Sequence, residues 1–356
     1  MIKGYNGKMY EYIGEISINP GKTGSLEIPA DRLFKSLHFN TKGASFNATF
    51  SAGAPAIHHL GVLGGLIKKI VLQNKGGEDL RTYLGIHQLI NDQREDFSDR
   101  GALIYKTSAT SLASGTSAES YPAITSTQDN AFFEAFPMFL ENRKSLEYWR
   151  TYYSTLGNKA AKLFIEFNNW IDILDAEDAS TTSAITGSGT IEVYGQKADQ
   201  LIAPYESFWK HVTSYDQITP NGNTNSTRFV ISPEGELQGF WIRALKTVSN
   251  KDVRFTFQEM NDTVMEFKFD GETICKGNLL ALAAMNMHDR PLLDIIRGCV
   301  RVNLLNSKTW GTGLYTGEGS SMKYIEVFIT CSVSNCKFMF EYDRIRAPKQ
   351  PEVAKA

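Results

Sequence analysis

The sequence predicts an all-β fold in two consecutive units. Three observations carry the prediction: period-two alternation in the apolar segments, the same order of elements in both halves, and a length of 356 residues. That length exceeds the roughly 250 to 300 residues at which a single core usually stops growing, so two domains are expected. Apolar residues at 42% and charged residues at 21% give each half enough material for a core of its own.

The strands come first. Segments 37–40, 45–50, 162–167, 190–194 and 253–257 alternate apolar and polar residues, as half-buried strands do. Gly, Asn, Asp and Pro punctuate them at 74–77, 232–235 and 269–271, where turns need a positive or preset φ. Helical patterning is confined to a few places. In 79–92, Leu80, Tyr83, Leu84, His87 and Ile90 fall on one helical face, and 279–287 is the other such segment. Residues 107–127, rich in Ser, Thr and Ala with no apolar periodicity, read as a long exposed loop.

The halves are colinear. Segment 33–50, read as strand, turn and strand, parallels 237–257. Segment 67–72 with its glycine turn and helix parallels 264–269 with its own. The late strands 162–167 and 189–195 parallel 323–330 and 337–342. Landmarks 67 and 264 lie 197 residues apart and landmarks 162 and 323 lie 161 apart. The first copy therefore carries about 36 extra residues, in the region of the Ser/Thr-rich loop.

Eight short strands per half with an inserted helix fit two consecutive eight-stranded jelly rolls, a double jelly roll, which packs two sheets and shields most edges. The expected layout is an N-terminal arm over 1–12 and a first roll over 13–202 with its long loop at about 94–131. A second roll follows over 203–346, then a flexible tail over 347–356. The boundary rests on Ala203-Pro204, which cannot continue a ladder, and the tail on Pro348 and Pro351. Without a long linker, the rolls are expected to be fixed to one another.

Chemistry is harder to find. With 37 basic and 39 acidic residues the net charge is -2, which offers no footprint for wrapping nucleic acid, and specific nucleic-acid binding is not expected. The start lacks the apolar core of a signal peptide and no run reaches about 18 apolar residues, so synthesis in the cytosol is expected. Three Asn-x-Thr or Asn-x-Ser/Thr-like triplets, at Asn47, Asn225 and Asn261, are then chance matches. The four cysteines, Cys275, Cys299, Cys331 and Cys336, are too sparse for a disulfide scaffold and are expected as packed thiols.

Each candidate motif has a plainer reading. Pro20-Gly21-Lys22-Thr23-Gly24 resembles the end of a phosphate loop, but Ile16 stands where that loop needs glycine, so a strand turn is expected. His58-His59 has no third ligand at usable spacing. Asp172, Asp175, Glu177 and Asp178 lack the spacing of a calcium loop and read as a solvated loop. The aromatic runs 132–139 and 148–153 suit cores or interfaces better than stacking platforms. No catalytic residue, metal ligand or cofactor site is nominated, and an enzyme is not expected. The competing reading is a carbohydrate-binding or adhesin-like β-sandwich protein.

The strand, turn and helix insertions at 67–92 and 264–287 resemble the double jelly-roll major capsid proteins of tailless icosahedral viruses, especially bacteriophages with an internal membrane. So do the aromatic strand 132–139 leading to 162–167 and the final strand 189–196 entering the linker. The resemblance covers about residues 10–346 and consists of element order, with no invariant motif. It implies a structural protein of the virion, a homotrimer whose six rolls give a pseudo-hexagonal footprint. Trimers would then tile a lattice, with minor capsid and vertex proteins as further partners and lipid beneath. Lys3, Tyr5, Lys8 and Tyr10 give the N-terminal arm a composition suited to anionic headgroups, which makes it a candidate membrane-facing segment.

Overall fold

The computed structural model describes residues 10–346 apart from 31, 51–56, 59–60, 75, 87–88, 90–103, 109–110, 115–123, 125, 142–150, 156–160, 175–181, 199–209, 221–223, 231–235, 249–250, 270, 289–296, 305–313 and 316–323. In the first unit the strands are β1 (Tyr10–Ser17), β2 (Thr23–Ile28), β3 (Leu33–Phe50), β4 (Ile67–Gln73), β5 (Asp79–Tyr83), β6 (Ile104–Ser108) and β7 (Ser111–Ser114). They continue with β8 (Asp129–Ala131), β9 (Ala135–Phe139), β10 (Tyr153–Ser154), β11 (Ala161–Phe167) and β12 (Thr182–Lys197). The second has β13 (Lys210–Ile218), β14 (Thr224–Val230), β15 (Glu236–Val248), β16 (Lys251–Arg254), β17 (Val264–Phe269), β18 (Glu272–Asn278), β19 (Cys299–Asn303), β20 (Leu314–Tyr315), β21 (Tyr324–Thr330) and β22 (Cys336–Arg346).

Both units have the same wiring. One sheet of the first runs β1-β12-β3, with β8, β9 and β10 also on β3; the facing sheet runs β2-β11-β4-β5. In the second, β13-β22-β15 with β16, β19 and β20 on β15 faces β14-β21-β17-β18. The strands in these sheets pair antiparallel, and the chain passes back and forth between facing sheets: β1, β3 and β12 lie in one and β2, β4 and β11 in the other, as β13, β15 and β22 do against β14, β17 and β21. That is the jelly roll, present twice. Each late strand pair read from the sequence, β11 with β12 and β21 with β22, therefore divides between facing sheets.

Each roll has its own core. Phe34, Phe39, Phe136, Ile165, Phe167 and Val193 pack in the first, and Phe240, Phe255, Phe267, Ile329, Phe338 and Phe340 in the second. Aromatic geometry tightens both: Phe39 stacks on Phe136 at 4.8 Å, and Phe240 on Phe267 at 5.7 Å. The run 132–139 is thus core, as its composition suggests.

Three sequence expectations need correction. Residues 79–83 form strand β5 and not the start of a helix; the rest of that helical segment falls mostly outside the described residues. Arg81 and Tyr83 turn toward the roll interior while Leu80 and Thr82 are buried on the other side, and a strand buried on both faces loses its period-two signature. Segment 33–50 is one strand without a turn. Gly43, at φ +56°, takes up an irregularity opposite Gly189 in β12 and lets the strand continue, whereas the second copy does make the expected hairpin, β15 on β16. The long loop carries the hairpin β6–β7, whose Ser- and Thr-rich sequence has no apolar alternation to reveal it. The helix expected at 279–287 is present as Leu279–His288. The unit boundary at 202–203 and the tail lie outside the described residues.

Candidate assembly surfaces

On the outer side of the first roll, β1, β12 and β3 present a mixed aromatic and polar surface. Tyr10 and Tyr12 are 49% and 52% exposed, in contrast to the buried Ile16 further along the same strand. Tyr10 meets His38 edge-on at 5.1 Å and Tyr12 meets Tyr194 at 5.5 Å. Ser36 donates to Gln196 Oε1 at 2.8 Å and lies 2.9 Å from His38 Nε2. Tyr194 donates to Glu192 at 3.0 Å, and Lys42 bridges Glu192 at 2.8 Å and Glu15 at 3.6 Å. The Lys42 hydrogen bond holds the Glu192 carboxyl below the usual range, and the Glu192 bond in turn raises Tyr194. At the rim, partial burial opposes the charge of Glu11, but bonds from Lys197 and Arg32 keep its carboxyl below the ordinary value. The face is wired laterally, so its side chains are held in place in the absence of any partner.

The equivalent face of the second roll is covered. Phe240 and Ile242 point into the core, so Trp241 and Arg243 project outward from β15, yet Trp241 is only 7% exposed. Around it Glu236, Gln238, Cys299, Arg301 and Glu341 are all buried. Arg301 lies over the Trp241 ring at 5.4 Å, and Arg243 bridges Glu341 at 2.9 Å. Charged side chains are buried like this only when another body covers them and they are paired.

That body includes the first roll. Strand β5 runs alongside β13. Leu80 and Thr82, each 6% exposed, face away from the first core. His58 retains part of its surface, but burial and then the charges of Arg254 and Arg243 push its imidazole down to about 3. A first-roll side chain therefore faces two arginines of the second roll.

The far flank of the second roll is open. Strand β18 carries Ile274 at 40% exposure, and the helices Phe257–Asp262 and Leu279–His288 beside it leave Phe257 at 42% and Met285 at 61%. The first of these helices starts from a reciprocal cap, in which Thr256 accepts from Glu259 N–H and Glu259 accepts from Thr256 N–H, so the exposed Phe257 sits on firm backbone.

Of the candidate membrane-facing residues, Lys3, Tyr5 and Lys8 lie outside the described residues, and Tyr10 is the first residue of β1, paired with Gln196. Of residues 20–24, Pro20, Gly21 and Lys22 form the β1–β2 turn, with Gly21 at φ +69°, and Thr23 and Gly24 open β2. Asp172 accepts from Asn169 N–H and caps the turn Trp170–Ile173; the other three carboxylates of that run, and His59, lie outside the described residues. Cys331, Cys336 and Cys299 are buried and Cys275 half-buried, with the Sγ atoms of Cys331 and Cys336 3.8 Å apart. Sequence reasoning missed Glu134, fully buried, whose carboxylate accepts from Val62 N–H at 2.6 Å and Leu63 N–H at 2.7 Å at the start of the helix Gly61–Leu66. The signal was there: a lone carboxylate inside an aromatic run.

No family model and no curated protein matches the sequence. Solved structures do match. The major capsid protein of Sulfolobus turreted icosahedral virus is similar over 98% of this chain and 99% of that one, with a TM-score of 0.65 at 10% identity. Major capsid protein P2 of bacteriophage PM2 is similar over 96% and 100%, with a TM-score of 0.55 at 9% identity. The faustovirus major capsid protein is similar over 95% and 90%, with a TM-score of 0.56 at 9% identity. The likeness covers nearly the whole of each chain, so the chain has the double jelly-roll fold of these viral major capsid proteins.

Proposed function

We propose that this protein is the major structural subunit of an icosahedral virion, assembling as homotrimers whose six rolls make a pseudo-hexagonal tile. The observation that carries the reading is the presence of two equivalently wired rolls, with β5 of the first alongside β13 of the second and the outer sheet of the second buried. Three such chains supply six similar lobes, the number a hexagonal tile needs. The neighbours with the same two-roll fold are capsid proteins, which supports self-association into a lattice as the task. Synthesis in the host cytoplasm, minor capsid and vertex proteins as partners, a lipid membrane beneath the shell and a bacteriophage host belong to the same proposal. In it, Lys3, Tyr5 and Lys8 belong to the arm nearest the lipid, whereas Tyr10 is the first residue of β1 and part of the roll.

The test is the mass of the purified protein by light scattering, with negative-stain images of the same peak. A species of three times the 39.7 kDa chain, hexagonal in projection, is the expected result. A monodisperse monomer that never assembles overturns the reading in favour of a carbohydrate-binding sandwich, which a glycan column then checks. For the membrane, extraction of purified particles with organic solvent should release phospholipid; particles without it remove the lipid layer and the role of the arm together.

A further inference from the structure

The two rolls are wired alike but exposed differently, and the difference is directional. Strand β5 of the first roll and β18 of the second hold the same place, each at the open edge of its sheet beside β4 and β17 respectively. Each has an irregularity in register that leaves one apolar residue opposite no partner: Leu80 in β5, Ile274 in β18. Leu80 is 6% exposed and Ile274 is 40% exposed. Leu80 is not part of the first core, and β5 runs along β13, so the second roll is what covers it. Strand β13, in turn, holds the place in the second roll that β1 holds in the first. The intrachain joint thus occupies one edge of the first roll and the opposite sheet of the second.

What remains is one unused copy of each half of that joint. Among the described residues the β18 edge has no equivalent of β13 on it, and β1 has no equivalent of β5. The large apolar side chains exposed among the described residues collect at these two places. Tyr10 and Tyr12 stand on β1, and Phe257, Ile274 and Met285 on the β18 flank; Val248, at the β15–β16 turn, is the exception. Apolar groups of that size gathered on two separate faces indicate contacts not made within one chain.

We propose that the β18 flank of one copy docks on the β1 face of the next, with Ile274, Phe257 and Met285 against Tyr10 and Tyr12, repeating between chains the β5–β13 joint that holds the rolls together within one. The occupant of each face is a second copy of this chain, because the internal joint already shows how this edge and this sheet fit. The contact is heterologous, head to tail, and closes into a ring when the rotation per roll is one sixth of a turn. It rests on the trimeric reading above and names the surfaces that would make the trimer.

The experiment compares the full-length wild type with Tyr12→Glu, Ile274→Glu and, as a control away from both faces, Val248→Glu. Each is purified alike and its mass measured by light scattering, with circular dichroism and a thermal melt to establish folding. All three positions are exposed, so each variant should keep the wild-type spectrum. Wild type and Val248→Glu should have three times the chain mass, while Tyr12→Glu and Ile274→Glu each fall to one chain, a threefold loss. If wild type is trimeric and either face variant stays trimeric, the docking proposal is overturned while the trimeric reading stands. A monomeric wild type means that the reading beneath it fails. Loss on Tyr12→Glu alone would indicate a symmetric contact of β1 with itself and equally overturns the head-to-tail pairing.

Discussion

Replacing Glu134 tests how the first roll is held shut at one end. Its backbone is tied to β3, with Thr41 N–H donating to the Glu134 carbonyl at 2.9 Å and Glu134 N–H donating to Thr41 Oγ1 at 2.8 Å. Its carboxylate takes the first free amides of the helix leading into β4, in the facing sheet. The side chain thus bridges the two sheets, and its place is shaped by Gly61. At φ +84°, with the site of a Cβ only 2.5 Å from Glu134 Oε1, position 61 admits glycine alone. Glu134→Ala strands two buried amides at about 1 to 3 kcal/mol each, so a loss of about 4 kcal/mol is expected. Glu134→Gln keeps an acceptor for one amide and turns an NH2 group on the other, for about 1 to 3 kcal/mol. With roughly 2 to 4 °C per kcal/mol for a unit of this size, the alanine variant should lower the melting of the first roll by about 8 to 16 °C in scanning calorimetry. A Glu134→Ala protein within about 1 kcal/mol of wild type would refute the reasoning, because it would mean that water or a shifted side chain reaches those amides.

Three further outcomes are expected. Arg243→Ala leaves the buried Glu341 carboxylate without its 2.9 Å partner and should cost about 3 to 5 kcal/mol in urea unfolding. Arg243→Met combined with Glu341→Leu removes both partners of that bridge and should cost less than the single change. His58, held down to about 3, stays neutral while the unfolded chain takes up a proton below about pH 6.5. The unfolded state then binds more protons, so stability present above about 6.5 is lost as pH falls toward 3. Because His58 keeps some exposure, the loss by pH 4.5 is set at about 1 to 2 kcal/mol, and His58→Gln should flatten the urea midpoints over that window relative to wild type. Burial, then the neighbouring Cys331, pushes the Cys336 thiol up to about 12. Alkylation by iodoacetamide at pH 8 should therefore be slow in the folded protein and fast after unfolding, and equal rates in both states would contradict the packed-thiol picture.

The parts of the fold legible in the sequence are those where one face of a strand is wet. Segment 162–167 alternates because β11 shows Lys162 and Glu166 outward over Leu163, Ile165 and Phe167, and 264–269 alternates for the same reason. The duplication was legible because both copies keep β4 and β17, and the strands after them, in the same order. Legibility fails where surfaces are doubly buried or polar throughout. Strand β5 was read as helix because the second roll covers its outer side, a fact of tertiary structure that no local pattern contains. The outer sheet of the second roll, with Trp241, Arg243 and Arg301, reads in sequence as an ordinary wet face. Nothing in the spacing of Tyr10, Tyr12 and Ile274 links them; only the repeated wiring does.

The inequality between the rolls is also an argument about how assembly is kept separate from folding. A duplicated unit that used both of its joints within one chain would be closed and could build nothing. This chain spends one joint internally, where Leu80 and Thr82 are sealed and Arg243 pairs with the buried Glu341. Around the other joint the surface differs in character. Strand β18 flanks Ile274 with Glu272, Thr273 and Lys276, all exposed, and β1 sets its tyrosines beside the Lys42, Glu15 and Glu192 network. In the proposed docking such a face tolerates water before a second copy arrives, and contributes less per contact than the sealed one. Subunits that fold alone and associate through repeated, individually weaker contacts can detach when misplaced, which is what the growth of a closed shell requires.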